Sequence, residues 1–253
     1  MQKQLSGRKE KILKAIIEDH LHFAAPVGSQ HICERFNLGF SPATVRNEMA
    51  MLEEEGYIGQ PHTSAGRVPT DRGYRYYVDN LMKGKTTTKK EEETISRAYE
   101  RASRDIEVFA HQTLEVATAL TRYAAALLIT EKDFKQKVYH FGISNIASQP
   151  EFSDVKRLKE VIRLFEEDNL LSSMLSEYSE EGEITIKIGS ENRFKEMRDC
   201  SVVVASCDTT QRGLGAIGII GPTRMFYNRT ATILDFMRLQ MEKFISHLSS
   251  GEY

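Results

Sequence analysis

The stretch SPATVRNEMAMLEEEG, residues 41–56, predicts one amphipathic helix with clear ends. Serine is a preferred N-cap and proline is favoured at the first helical position, so we expect the helix to begin at Pro42. Gly56 offers the left-handed backbone with which many helices end. A buried face is predicted from apolar residues spaced i, i+4 and i+7, namely Val45, Met49 and Leu52.

The opposite face of this helix is small and polar. At about 100° per residue, Ala43 and Asn47 lie within about 20° of the direction opposite Val45, and Thr44 and Arg46 flank them. In the major groove, asparagine can bind adenine, arginine can bind guanine, and alanine and threonine can contact the thymine methyl group. These types of side chain on one exposed face therefore predict base reading by Ala43, Thr44, Arg46 and Asn47.

Two shorter helices are predicted before this one. Ser6 can cap the first, and Gly28-Ser29 opens the second, over residues 30–36. Gly39 suits the left-handed turn that follows. Helix, turn and helix of this size commonly place the N-terminal end of the second helix of the pair in the major groove, so Ser41 is also predicted to contact DNA.

The stretch PHTSAGRVPT, residues 61–70, predicts a hairpin beside the helix, as in a winged helix. Its two prolines lack backbone donors and hold the preceding residues extended, which favours an edge hairpin. Gly66 is expected to supply the tight bend, and Arg67 is expected at or beside the tip, where it can enter a minor groove. Further predicted DNA contacts are His62, Thr63, Ser64, Arg72 and Arg75.

The charge of the chain excludes binding of nucleic acid by bulk charge, because the net charge is −2 at pH 7. DNA contact must therefore come from locally clustered cations. The three cysteines form no CxxC pair and are expected to be reduced, buried residues of a cytoplasmic protein. We predict no membrane segment, cofactor, metal site or catalytic site. The GxGxxG pattern at residues 213–218 continues as strand, which favours close backbone packing over nucleotide binding.

Composition divides the chain into residues 1–82, a polar linker or frayed helix start at 83–93, and a second domain at 94–253. The second domain is expected to open with a long helix whose apolar seam lies on its own domain or, alternatively, forms a two-chain coiled coil. Strands are predicted at 125–130, 137–141, 183–188, 201–207 and 214–221, and helices at 153–167 and 228–248. The predicted fold class is α+β with a mainly antiparallel sheet. The seam consists of Ile95, Tyr99, Ala102, Ile106, Phe109, Thr113, Val116, Leu120 and Tyr123.

Several long stretches resemble the HrcA family of bacterial heat-inducible transcription repressors. The N-terminal resemblance lies in residues 41–49, 52–58 and 61–74. The C-terminal resemblance is to the GAF-like domain of that family and lies in pieces at 142–152, 199–201 and 218–225. It implies a homodimeric repressor of chaperone genes that binds an inverted-repeat operator in double-stranded DNA, with the GroE chaperonin as a partner and heat as the inactivating signal.

The chain departs from the family pattern because it has no room for an inserted dimerisation domain between residues 130 and 138. We therefore expect dimerisation through the apolar seam or the GAF-like face. Two other functions stay open from the residues alone. One is a repressor gated by a small ligand in the GAF-like domain, and the other is a winged-helix interaction module without a DNA target.

Overall fold

The structure is a computed structural model that describes residues 4–62, 65–82, 84, 86–101, 105–130, 136–180, 182–207 and 215–250. The chain forms two compact units, Met1–Lys83 and Gly84–Tyr253. No helix that the structure describes has both the length and the apolar character that crossing a membrane requires.

The first unit consists of helices followed by a small two-stranded sheet and a final helix. Antiparallel β1 and β2 pair Ile58 with Pro69 and Gly59 with Val68. The elements are α1 (Gly7–Phe23), α2 (Ser29–Phe36), α3 (Pro42–Glu54), β1 (Ile58–Gly59), β2 (Val68–Pro69) and α4 (Asp71–Tyr76), which continues as a π-helical turn at Tyr77–Leu81.

The ends of these helices follow the local sequence signals. The Ser41 hydroxyl accepts from the Thr44 N–H at 3.1 Å at the start of α3, and Gly56 adopts a φ of +76° after its end. The Thr70 hydroxyl caps α4 in the same way through Gly73. The predicted start of α3, its end and its buried face are therefore confirmed, and Val45, Met49 and Leu52 pack towards α1 and α2.

The second unit is a five-stranded antiparallel sheet with helices on both faces. The strand order is β4-β3-β7-β6-β5. The strands are β3 (Ala124–Thr130), β4 (Gln136–Phe141), β5 (Ile184–Ile188), β6 (Cys200–Cys207) and β7 (Gly215–Pro222). The helices are α5 (Lys89–Arg101), α6 (Ile106–Thr121), α7 (Ile143–Ala147), α8 (Val155–Glu166), α9 (Asp168–Ser179) and α10 (Tyr227–Ser250), with single 3₁₀ turns at Pro150–Phe152, Gly189–Glu191 and Lys195–Met197.

The central strands β6 and β7 are almost wholly buried. The helices α7, α8 and α9 cover one face of the sheet, α10 contacts β6 and β7, and α6 contacts β3, β4 and β7. This arrangement confirms the predicted α+β class with an antiparallel sheet. Cys200 and Cys207 are buried free thiols, and burial raises the pKa of Cys207 to about 12. Gly218 lies within β7, where an added Cβ would come 2.6 Å from Leu175 Cδ2. The glycine therefore allows close packing of α9 on the sheet.

The prediction of one long helix across residues 95–123 is wrong. Asp105 has an extended backbone, and its carboxylate accepts from the Glu107 N–H at 2.9 Å, which starts a separate helix. The two helices α5 and α6 pack against each other, with the Tyr99 and Phe109 rings 5.3 Å apart. Phe109 also stacks on Phe244 of α10 at 4.3 Å.

Most residues of the predicted seam are buried inside this unit. Ala102 lies outside the described residues. The buried members are Ile95, Tyr99, Phe109, Thr113 and Tyr123. The seam therefore lies on its own domain, and the coiled-coil alternative is wrong for these residues. Within residues 83–93, the predicted linker or frayed helix start, α5 begins at Lys89.

Candidate nucleic-acid interface

The exposed face of α3 carries the side chains that the sequence places there. Ala43, Arg46 and Asn47 are exposed, and Thr44 is half-buried. The hydroxyl oxygens of Thr44 and the capping residue Ser41 lie 2.9 Å apart. Among the described residues, neither Arg46 nor Asn47 has a side-chain hydrogen bond or ion pair. Both polar groups are therefore available for a ligand, and the stripe that holds the helix in place faces away from them.

The acidic end of α3 is neutralised by cations within the same unit, a feature that the sequence did not predict. Glu55 accepts from Lys9 Nζ at 2.8 Å, and Glu48 lies 3.3 Å from Arg8 Nη1. Glu53 accepts from both Nε and Nη2 of Arg67, at 2.9 and 2.8 Å. These ion pairs reduce the repulsion that three consecutive glutamates would exert on a nearby phosphate.

Arg67 directly precedes β2, and its backbone and side chain both have partners within the first unit. Its backbone pairs with Val27, just before α2, through two hydrogen bonds of 2.8 and 2.9 Å. Its guanidinium joins the hairpin to α3 through Glu53. The outer part of the hairpin is closed by Gln60, whose amide donates to the Ala65 carbonyl at 2.9 Å. In this position Arg67 aligns the hairpin with α3.

Gly66 has a different role from the predicted tight bend, because its φ is not in the left-handed region. A Cβ on this residue would come 2.5 Å from the carbonyl oxygen of Val27 and 2.7 Å from its nitrogen. Side chains do not approach backbone atoms so closely, so only glycine lets the hairpin contact the segment before α2.

Replacement of Gly66 by alanine should lower the free energy of unfolding by about 1–3 kcal/mol, because two backbone segments must separate. Gly7→Ala is the matched control, since an added Cβ there meets nothing within 4 Å. Urea unfolding of both variants measures the difference. Equal stabilities would show that the hairpin does not need this close approach.

The remaining residues predicted to contact DNA differ in their exposure and in their side-chain partners. Arg72 is exposed, with its guanidinium carbon 4.7 Å from the centre of the Tyr57 ring, so its position is fixed by a cation–π contact. Arg75 donates to Asp79 at 3.2 Å. His62 is exposed on the hairpin. Thr63 and Ser64 lie outside the described residues.

Two separate sequence stretches of the second unit meet at one buried cation. Arg224, at the end of β7, is 8% exposed and donates through Nε to Glu151 Oε1 at 2.6 Å. Its Nη2 also donates to Gln149 Oε1 at 3.0 Å. Side-chain hydrogen bonds therefore join the stretches around Gln149 and Arg224.

Comparison with known proteins places the chain among repressors. The family model described as HrcA protein C terminal domain matches residues 74–231. A relative named heat-inducible transcription repressor HrcA, from Pelotomaculum thermopropionicum, is 31% identical over 98% of this chain and 99% of its own length. Another of that name, from Desulforamulus reducens, is 32% identical over the same shares. The first of these alignments runs over 344 positions although this chain has 253 residues, so the relative carries about 90 residues without a counterpart here.

A solved crystal structure, described as that of a hypothetical protein, has a similar fold. Its TM-score is 0.74, and the match covers 97% of this chain and 100% of that one. At 18% sequence identity, the similarity concerns the fold alone.

Proposed function

The chain belongs to the HrcA family of heat-inducible transcription repressors, and from this premise we propose that it represses chaperone genes by binding an inverted-repeat operator as a dimer. The observation that carries the proposal is the exposed face of α3, where Arg46 and Asn47 have no side-chain partner among the described residues and the opposite face is buried. Release of the DNA under heat stress then induces the genes.

The first unit has the elements of a winged helix-turn-helix domain, and we assign residues 1–82 to it. In this assignment α2 and α3 are the helix pair and β1 and β2 form the wing. Asn47, Ala43 and Thr44 face base edges in the major groove. Arg72 and His62 are exposed and contact phosphate. Arg75 and Arg67 form ion pairs with carboxylates. They either exchange these partners for phosphate or keep them and hold the neighbouring elements in place. The full proposed set is Ser41, Ala43, Thr44, Arg46, Asn47, His62, Thr63, Ser64, Arg67, Arg72 and Arg75.

We assign residues 94–253, which begin within α5, to a GAF-like regulatory domain. A sheet with helices on both faces supports this assignment. In this proposal the regulatory domain responds to folding stress through the GroE chaperonin, in the cytoplasm. Binding of a small ligand without any chaperonin is the alternative, and a ligand that alters DNA affinity of the pure protein would favour it.

Dimerisation in this proposal uses the outer surface of the second unit. The buried members of the apolar seam are already packed within that unit, and relatives carry about 90 residues that this chain lacks. Exposed apolar side chains on different elements of the unit, such as Val108, Phe141 and Val155, offer starting points for the contact.

Selection of bound sites from random double-stranded DNA with the purified protein tests the proposed function. We expect an inverted repeat, because a symmetric dimer places one recognition helix on each half-site about one helical turn apart. Light scattering at micromolar concentration should give the mass of a dimer. Recovery of single half-sites by a monomer would refute the dimeric mode, and absence of any enriched sequence at low salt would refute DNA reading.

A further inference from the structure

A cleft of about 350 Å³ lies in the first unit where the start of α2 faces α3 and the hairpin. The hairpin closes one side because Arg67 pairs with Val27 and Gly66 packs against it. The lining includes Gly28, Ser29, Gln30, Arg46, Ala65 and Arg67. The cleft therefore joins the exposed face of α3 to the N-terminus of a second helix.

The N-terminus of α2 presents backbone donors without acceptors. Gly28 occupies the N-cap position and has no side chain with which to cap the helix, and no acidic residue lies in the first turn. Within the described residues, the N–H groups of Ser29 and Gln30 have no hydrogen-bond partner. Free N–H groups at the positive end of a helix form a favourable environment for an anion.

Ser29 provides a second and independent observation that points to a ligand. Its side chain lines the cleft and the residue is only 9% exposed. Among the described residues its hydroxyl has no hydrogen-bond partner. The hydroxyl can therefore donate a hydrogen bond to a ligand that enters the cleft.

The charge around the cleft is positive. Arg46 has no ion pair within the described residues, and it lines the cleft from α3. Of the carboxylates near these residues, Glu53 pairs with Arg67, whereas Glu34 keeps its charge, accepts from the Gln30 amide at 2.9 Å and does not line the cleft. An incoming anion therefore meets one free guanidinium and no free carboxylate among the lining residues.

We propose that this cleft binds one phosphodiester group of the operator backbone. The Ser29 hydroxyl and the N–H groups that open α2 donate to its oxygens, and the Arg46 guanidinium neutralises it. The inference rests on the proposed function and changes one of its roles, because Arg46 then fixes the register of α3 on the backbone while Asn47 reads bases.

The most direct test compares Gly28→Asp with Gly28→Asn. An added Cβ at this position meets nothing within 4 Å, and φ is −94°, so both side chains fit and both can cap α2. Only aspartate puts a negative charge where the phosphate should lie. We expect both variants to unfold at the same or a higher urea concentration than the unmodified chain. Gly28→Asp should bind operator and random DNA about 10- to 100-fold more weakly than Gly28→Asn. Gln4→Glu, which adds an exposed charge ahead of α1, should bind as the unmodified chain does.

Equal DNA affinities of the Asp and Asn variants would overturn the phosphate site while leaving the proposed function intact, provided that the unmodified chain still binds its operator. Failure of the unmodified chain to bind any DNA would overturn both. Neutral methylphosphonates placed singly along the operator identify the phosphate. At one position per half-site, the methylphosphonate should weaken DNA binding by the unmodified chain but not by Arg46→Gln. Equal losses of binding for the two proteins at every position would overturn the role of Arg46.

Discussion

The substitution Asn47→Ala should weaken operator binding by about 1–3 kcal/mol, or roughly 5- to 150-fold, while binding to random DNA changes little. Asn47 is exposed on α3, has no side-chain partner among the described residues, and lies opposite the stripe that anchors the helix. Its removal therefore costs no packing and takes away two groups that can pair with a base edge. Titrations of operator and random duplexes at one fixed salt concentration measure the effect.

Asn80→Ala is the matched control for this substitution. Asn80 is also exposed in the first unit, but its amide only donates to the Tyr76 carbonyl at 3.2 Å, within its own helix. We expect this variant to bind both duplexes as the unmodified chain does. A loss for Asn47→Ala that is the same on operator and random DNA would refute base reading by Asn47.

The substitution Glu151→Ala should lower the free energy of unfolding of the second unit by about 3–5 kcal/mol, because it removes a carboxylate that balances the charge of a buried cation. Glu151 accepts two hydrogen bonds from Arg224, at 2.6 and 3.3 Å, and Arg224 is only 8% exposed. The remaining Gln149 amide cannot replace a carboxylate in balancing the charge. Urea unfolding, followed by a probe of the second unit, measures the loss.

The exposed pair of Arg193 and Glu177 provides the control. The side chain of Arg193 is 73% exposed, so water and salt already screen this ion pair. Glu177→Ala should therefore cost less than about 1 kcal/mol. Similar losses for Glu151→Ala and Glu177→Ala would mean that the buried pair contributes no more than a surface pair.

The features of the first unit that depend on local signals could be predicted from the sequence. Ser41, Pro42 and Gly56 set the ends of α3 through their own backbone preferences, and the spacing of Val45 and Met49 determines its buried face. These effects act within a few residues and need no knowledge of the rest of the chain.

The features that depend on distant partners could not be predicted in the same way. Arg67 lies 14 positions from Glu53, and several acids were available to it, so only the folded hairpin decides which one is within reach. Gly66 was correctly taken as a position that needs glycine, but the reason is a close approach to Val27. The cleft at Gly28 and Ser29 is also lined by the hairpin, so it has no local signature in the sequence.

In the second unit, the same apolar spacing fits one long helix or two packed helices. Asp105 was a usable sign of the break, because aspartate is a preferred N-cap. The helix α9 was missed although Leu171, Met174 and Tyr178 have helical spacing and are buried. The link between Arg224 and Glu151 spans 73 positions, so the sequence showed two motifs without showing that they meet.

The central claim is that α3 reads operator bases. Repetition of the site selection with Asn47→Ala tests it most directly. We predict that the selected sites keep the inverted repeat and its spacing but lose their base preference at one position in each half-site, since only one reading side chain has been removed. A selected motif identical to that of the unmodified chain would contradict the claim that Asn47 and its helix face read the operator.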